Sequence, residues 1–135
     1  MKTLTIRDHM TPTPQSIGKD QTLAEAHRVM RTHLCRHLPV LSGGRLVGIV
    51  SERDLHLVES LRDVNPERVS VEEAMTPDVY TVGPDAALES TALEMAQHKY
   101  GSAVVIERGR VVGVFTTTDA LRALAGVLAR VQQAA

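Results

Sequence analysis

The chain has 135 residues, of which 43% are hydrophobic and 23% charged, the balance of a compact domain with its own core rather than a disordered segment or a small cross-linked scaffold. Fifteen Lys and Arg against sixteen Asp and Glu leave a net charge of -1, so no overall field draws the chain to nucleic acid or to an anionic membrane, and any anion site must be local. Aromatic residues make up only 2%, too few for a stacking platform for single-stranded nucleic acid.

The first residues, MKTLTIRDHM, contain no apolar run of signal-peptide length, and the most apolar later stretch, Leu121 to Val131, is interrupted by Arg122 and Arg130. A cytoplasmic protein with no membrane partner is expected, and the lone Cys35 agrees with a reducing compartment. In chain order, Thr5 and Asp8 have capping-box spacing for a helical turn that Pro12 closes. A short strand, Gln15 to Ile17, follows. Thr22 and Glu25 then cap a helix to about His33, with Leu23, Ala26, Met30 and Leu34 on one face. A hairpin comes next: His37 to Leu41, a turn at Ser42-Gly43-Gly44, and Leu46 to Val50. Ser51 opens another helix.

The same order then recurs. Ser70 and Glu73 are spaced as a capping box before Pro77, and Tyr80 to Val82 reads as a strand. A helix after Asp85 carries Leu88, Ala92 and Met95, and a hairpin joins Ser102–Ile106 to Val111–Phe115 through Glu107-Arg108-Gly109. From Thr116 a last helix, continuing from Asp119 to about Gln133, places Leu121, Leu124, Leu128 and Val131 on one face. That stripe suits either a cap on the same core or packing against another chain.

Sliding the chain against itself by 65 residues without a gap gives 14 identities over positions 5 to 60, among them Met10-Thr11-Pro12 with Met75-Thr76-Pro77, and Asp54 with Asp119. The chain is therefore read as a first repeat at 5–62, a connector at 63–69, a second repeat at 70–125 and a C-terminal helix extension at 126–135. Each copy reads β-α-β-β-α, and about 55 residues cannot cover both faces of a sheet. The expected fold is α+β, with two pseudo-twofold-related repeats packed sheet to sheet.

Each copy ends its hairpin in one motif: Gly48-Ile49-Val50-Ser51-Glu52-Arg53-Asp54, and Gly113-Val114-Phe115-Thr116-Thr117-Thr118-Asp119. A hydroxyl three residues before a carboxylate at a strand-to-helix junction suits a nucleotide. The carboxylate can accept from ribose hydroxyls, and the hydroxyl and unpaired helix N–H groups can meet a phosphate. Taken singly, the spacing favours a helix cap with an acidic first turn, because caps are far commoner than ligand sites. Its recurrence in both copies favours binding.

With the Met-Thr-Pro segments, the Leu38-Pro39-Val40 strand and the tandem arrangement, these motifs resemble the cystathionine-β-synthase (CBS) domain over residues 5 to about 125. The resemblance implies a paired module that binds adenosine-containing ligands (AMP, ADP, ATP or S-adenosylmethionine) in two clefts between the copies, with no obligatory cofactor. Carried onto this sequence, one cleft takes Gln15, Arg36, His37, Arg53, Val114, Thr116 and Asp119. The other takes Ile49, Ser51, Asp54, Tyr80, Gly101, Ser102 and Thr118, with adenine against Gln15 or Tyr80. Arg36, His37 and Arg53 form a cation cluster, whereas Gly101, Ser102 and Thr118 bring no charge, so the phosphate-binding cleft is expected to be that of Asp119. Val104 departs from the family's proline, and Thr117-Thr118 from its commoner charged pair.

The residues show no nucleophile–base pair or paired catalytic carboxylates, so the protein is expected not to be an enzyme. His33, Cys35 and His37 alternate, with His27 nearby, but no second ligand pair of zinc-site spacing accompanies them, and no metal is expected. His56 and His98 read as surface or interface residues, and Cys35 as a small apolar residue under the first helix. The expected function is a stand-alone sensor that forms a homodimer and signals to an effector protein. The alternative is a dimerisation adaptor of the same fold with empty clefts.

Overall fold

The computed structural model describes residues 3–12 and 15–134. These divide into two compact units, one of residues 15–79 and the other of residues 3–12 together with 80–134.

In the first unit, β2 (Ile17–Gly18) runs parallel to β3 (His37–Ser42), which pairs antiparallel with β4 (Arg45–Ser51). Helix α1 (Leu23–His33) and helix α2 (Glu52–Glu59) complete the unit. As the spacing predicts, the Thr22 hydroxyl accepts the Glu25 N–H at 3.1 Å, and Leu23, Ala26 and Met30 are buried. They meet Leu38, Val40, Val50, Leu55 and Val71 in one apolar core, and Cys35 packs at its edge, where burial pushes its thiol pKa up. Leu34 leaves the expected stripe: the helix ends at His33, and Leu34 takes a left-handed conformation, φ 54°, with its side chain 92% exposed.

The second unit orders its sheet β1-β7-β6-β5, from β1 (Thr11–Pro12), β5 (Thr81–Val82), β6 (Ser102–Glu107) and β7 (Arg110–Thr116). Its helices are α3 (Leu88–His98) and α4 (Thr117–Ala134). Ala135, the end of the expected extension, lies outside the described residues. On α3 the buried positions are Thr91 and Met95, while Ala92 is only half-buried.

Both hairpins turn more tightly than expected. Ser42 pairs with Arg45 and Glu107 with Arg110, leaving two-residue turns with positive φ at Gly43 and Gly44 (56° and 84°) and at Arg108 and Gly109 (53° and 77°). The short parallel strands are also trimmed, since only two residues of each reach ladder register, although the Tyr80 carbonyl still accepts the Val104 N–H at 2.9 Å.

The expected capping boxes at Thr5 and Ser70 do not form. Ile6–Asp8 and Val71–Glu73 are single 3-10 turns with no side-chain cap, because other backbone groups satisfy their N–H groups. Ile6 and Arg7 donate to the Ala86 and Pro84 carbonyls, and Val71 and Glu72 to those of Gln21 and Lys19. Each opening segment thus sits on the other repeat's hairpin. Thr11 pairs with Val114, and Thr76 with Ile49, positions related by the 65-residue offset.

The motif glycines admit this exchange. A Cβ on Gly113 would lie 2.7 Å from Met10 Sδ and 2.9 Å from the Thr11 carbonyl oxygen, and one on Gly48 would lie 2.5 Å from Met75 Sδ and 2.9 Å from the Thr76 oxygen. Backbone cannot yield as a side chain does. Gly113→Ala is therefore expected to cost about 1–3 kcal/mol of folding stability, whereas Gly83→Ala, with nothing within 4 Å of its Cβ, should leave the urea midpoint nearly unchanged. Equal midpoints for the two variants would refute this account of the glycine.

Candidate functional site: two strand-to-helix corners

Each unit carries one corner at which the hairpin ends and a helix begins. In the first, His37 lies opposite Ser51 in the ladder, and the Arg36 carbonyl accepts the Glu52 N–H at 2.9 Å. Start of β3, end of β4 and first turn of α2 are thereby joined. Ser51 Oγ accepts the Asp54 N–H at 3.0 Å, and Asp54 Oδ2 accepts the Ser51 N–H at 2.8 Å. Among the described residues Asp54 Oδ1 makes no hydrogen bond. Arg36 and Arg53 are exposed, His37 and Asp54 half-buried and Ile49 buried, while Gln15 is half-buried just before β2.

In the second unit Ser102 lies opposite Thr116, and the Gly101 carbonyl accepts the Thr117 N–H at 3.2 Å. Thr116 donates to Asp119 Oδ2 from its backbone at 2.9 Å and from its hydroxyl at 3.1 Å. Here the likeness ends. Asp119 Oδ1 also accepts the Thr11 hydroxyl at 2.8 Å and the Arg122 guanidinium at 3.3 Å, and the residue is 3% exposed. A cavity of about 240 Å³ opens beside it, lined by His9, Met10 and Arg122 among others. Gly101 and Thr118 are exposed, Ser102 is half-buried and Val114 is buried. Tyr80, half-buried, stacks on Tyr100 with centroids 5.0 Å apart, and burial pushes its hydroxyl pKa up. His98, a surface residue as expected, stacks on Tyr100 and pairs with Glu94 at 3.1 Å.

The structure thus gathers Ile49, Arg36, His37, Ser51, Arg53 and Asp54 at one corner, and Gly101, Ser102, Val114, Thr116, Thr118 and Asp119 at the other. Both Ser/Thr-x-x-Asp pairs are reciprocal helix caps, but only the first leaves a carboxylate oxygen without a hydrogen bond among the described residues, since Asp119 is buried with both oxygens engaged. Sequence reasoning missed Thr11 and Arg122 as partners of Asp119. Arg122 follows Asp119 by three residues and so lies on the same helical face, but Thr11 comes from a segment assigned to the other repeat.

The family model for the CBS domain matches residues 6–58 and 71–126, and the chain belongs to that family, with two copies of the domain. It is 36% identical over 115 residues to an inosine-5'-monophosphate dehydrogenase of Korarchaeum cryptofilum, a match that covers 84% of this chain but 22% of that enzyme. It is 26% identical over 114 residues to the CBS domain-containing protein YhcV of Bacillus subtilis, covering 84% of this chain and 81% of that one. Among solved structures, the CBS domain pair of protein MJ0100, in complex with 5-methylthioadenosine and S-adenosyl-L-methionine, superposes with a TM-score of 0.79 at 25% identity, covering 93% of this chain and 98% of the other. No helix of the described residues is long and apolar enough to cross a membrane.

The unequal bonding of the two carboxylates should register in stability. Asp54→Ala removes one half-buried cap, at a cost of about 1 kcal/mol. Asp119→Ala also takes the acceptor from the half-buried Thr116 and from Thr11 and Arg122, so a larger loss of about 1–3 kcal/mol is expected. Urea denaturation of both variants checks the order. A larger loss from Asp54→Ala would reverse it.

Proposed function

We propose that the chain is a regulatory module that binds an adenosine-containing ligand at its strand-to-helix corners and passes occupancy to an effector protein. The observation that carries this reading is the doubled corner, a hydroxyl and a carboxylate at a helix start. It is supported by the adenosyl compounds bound to the similar MJ0100 domain pair. The match spans only 22% of the relative named as a dehydrogenase, so that enzyme's chemistry does not carry over, and a non-catalytic, cytoplasmic role is proposed.

Charge separates the corners. Arg36, His37 and Arg53 are assigned to phosphate, which charge-assisted bonds hold at roughly twice the strength of neutral ones. Gly101, Ser102 and Thr118 offer hydrogen bonds without charge and suit a less anionic adenosyl ligand. Ribose is assigned to Asp54 and Asp119. At Asp119 a ribose hydroxyl must take the place of the Thr11 hydroxyl or Arg122, since both carboxylate oxygens are already engaged. That engagement is what favours the second reading, an adaptor with empty clefts.

Calorimetry with AMP, ADP, ATP and S-adenosylmethionine separates the two. Binding of at least one is expected, with Arg36→Ala or Arg53→Ala weakening AMP or ATP about tenfold to a hundredfold. Silence from all four compounds leaves the adaptor.

A homodimer is proposed on the last helix. Leu121, Leu124, Leu128 and Val131 are 66%, 53%, 50% and 60% exposed along one face, and closed twofold symmetry is the commonest way to cover such a stripe. Light scattering should give twice the 14.7 kDa chain mass, and Leu124→Glu with Leu128→Glu should halve it. A wild-type monomer at tens of micromolar would exclude the dimer.

A further inference from the structure

The helices of the first unit bring together three side chains that lie far apart in sequence. His27 stands on α1, and His56 and Glu59 stand one turn apart on α2. One ligand atom from each lies within 4.8 Å of the other two. His27 Nε2 is 2.8 Å from Glu59 Oε1, and the two imidazoles stack with centroids 5.5 Å apart. We propose that this trio is a binding site for a divalent transition-metal ion with the coordination preference of zinc. Two imidazole nitrogens and one carboxylate oxygen would hold the ion, with a remaining position open to water.

The donor set suits this class. Imidazole with a carboxylate is borderline-soft and selects zinc-like ions, whereas magnesium and calcium prefer oxygen alone. Ligand atoms about 2.0–2.2 Å from a tetrahedral ion lie about 3.3–3.5 Å from each other, so the present spread closes by side-chain rotation. His27 and Glu59 are 22% and 20% exposed, and His56 is exposed, which places the trio at the open edge of the helix pair. An ordinary ion pair accounts for His27 with Glu59 but leaves His56 unexplained. Its imidazole is held against His27, and among the described residues it makes no side-chain hydrogen bond. The scaffold does not demand these residues either: the 65-residue offset puts Ala92, Leu121 and Leu124 at the equivalent places. A bound ion would clamp α1 to α2, the helix that carries Asp54 in its first turn.

The experiment uses the full chain, without a polyhistidine tag and stripped with chelator, titrated with zinc by calorimetry and with cobalt by absorption. One ion per chain is expected, with a melting temperature that increases with added zinc and cobalt ligand-field bands free of thiolate charge transfer. Loss of a mere hydrogen-bond partner of a ligand costs about 10–100-fold in metal affinity, so His56→Ala and Glu59→Gln should each cost about a hundredfold or more. His98→Ala and Cys35→Ser should bind as the wild type does. No uptake, unchanged affinity in His56→Ala, or loss in Cys35→Ser, which would move the ion to His33, Cys35 and His37, each overturns the proposal.

Discussion

Two places where backbone lies against backbone organise this molecule: the Met10-Thr11 segment on Gly113, and the Met75-Thr76 segment on Gly48. The contact excludes a Cβ, since a carbonyl oxygen would stand 2.9 Å away in both cases. It also aligns hydrogen bonds, with Ile49 and Thr76 exchanging N–H and carbonyl at 3.0 and 2.8 Å. Once these segments are seated, the 3-10 turns that precede them drop Ile6 and Val71 fully into the two cores. Each core is thereby sealed by a residue that the sequence repeat assigns elsewhere. An opening segment that remained on its own repeat would lack this partner, so the exchange is part of what makes either unit complete.

The same contact reaches the candidate site. β4 and β7 run on from Gly48 and Gly113 to Ser51 and Thr116, where the strand stops and the helix cap begins. In the second unit the link is direct, because Thr11, held beside Gly113, donates to Asp119. A carboxylate that caps its own helix, receives a hydroxyl from an exchanged segment and pairs with Arg122 reports on the seating of three elements together. Asp54 shows only the cap. The two corners therefore share one backbone and differ in the bonding of the carboxylate.

Much of the architecture was legible in the sequence because the physics there is local. The Thr22 cap and the short apolar runs that bury Val40, Val50, Val105 and Phe115 each depend on residues a few positions apart, and the 65-residue recurrence repeats that local pattern in the second copy. What escaped was non-local. Nothing in the capping-box spacing at Thr5 or Ser70 tells that the turn's N–H groups are already taken by Ala86 and Gln21. Leu34 continues the helical period, yet the chain turns left-handed there. Ala92 fits the period as well as Thr91 does, yet Thr91 is the one buried. The trio of His27, His56 and Glu59 is of the same kind, since no spacing rule joins residue 27 to residues 56 and 59 on another helix.

Duplication leaves the backbone of the corners alike and lets their side chains differ freely. The side chains at 36, 53, 101 and 118 are exposed and take no part in either apolar core, so exchanging Arg for Gly or Thr there costs the fold almost nothing. Residues bound into the exchange, Gly48 and Gly113, have no such freedom. A scaffold whose stability resides in strand glycines, buried aliphatics and helix caps can therefore carry one cationic corner and one without such charge. The difference in charge between Arg36, His37 and Arg53 on one side and Gly101, Ser102 and Thr118 on the other is therefore not dictated by folding.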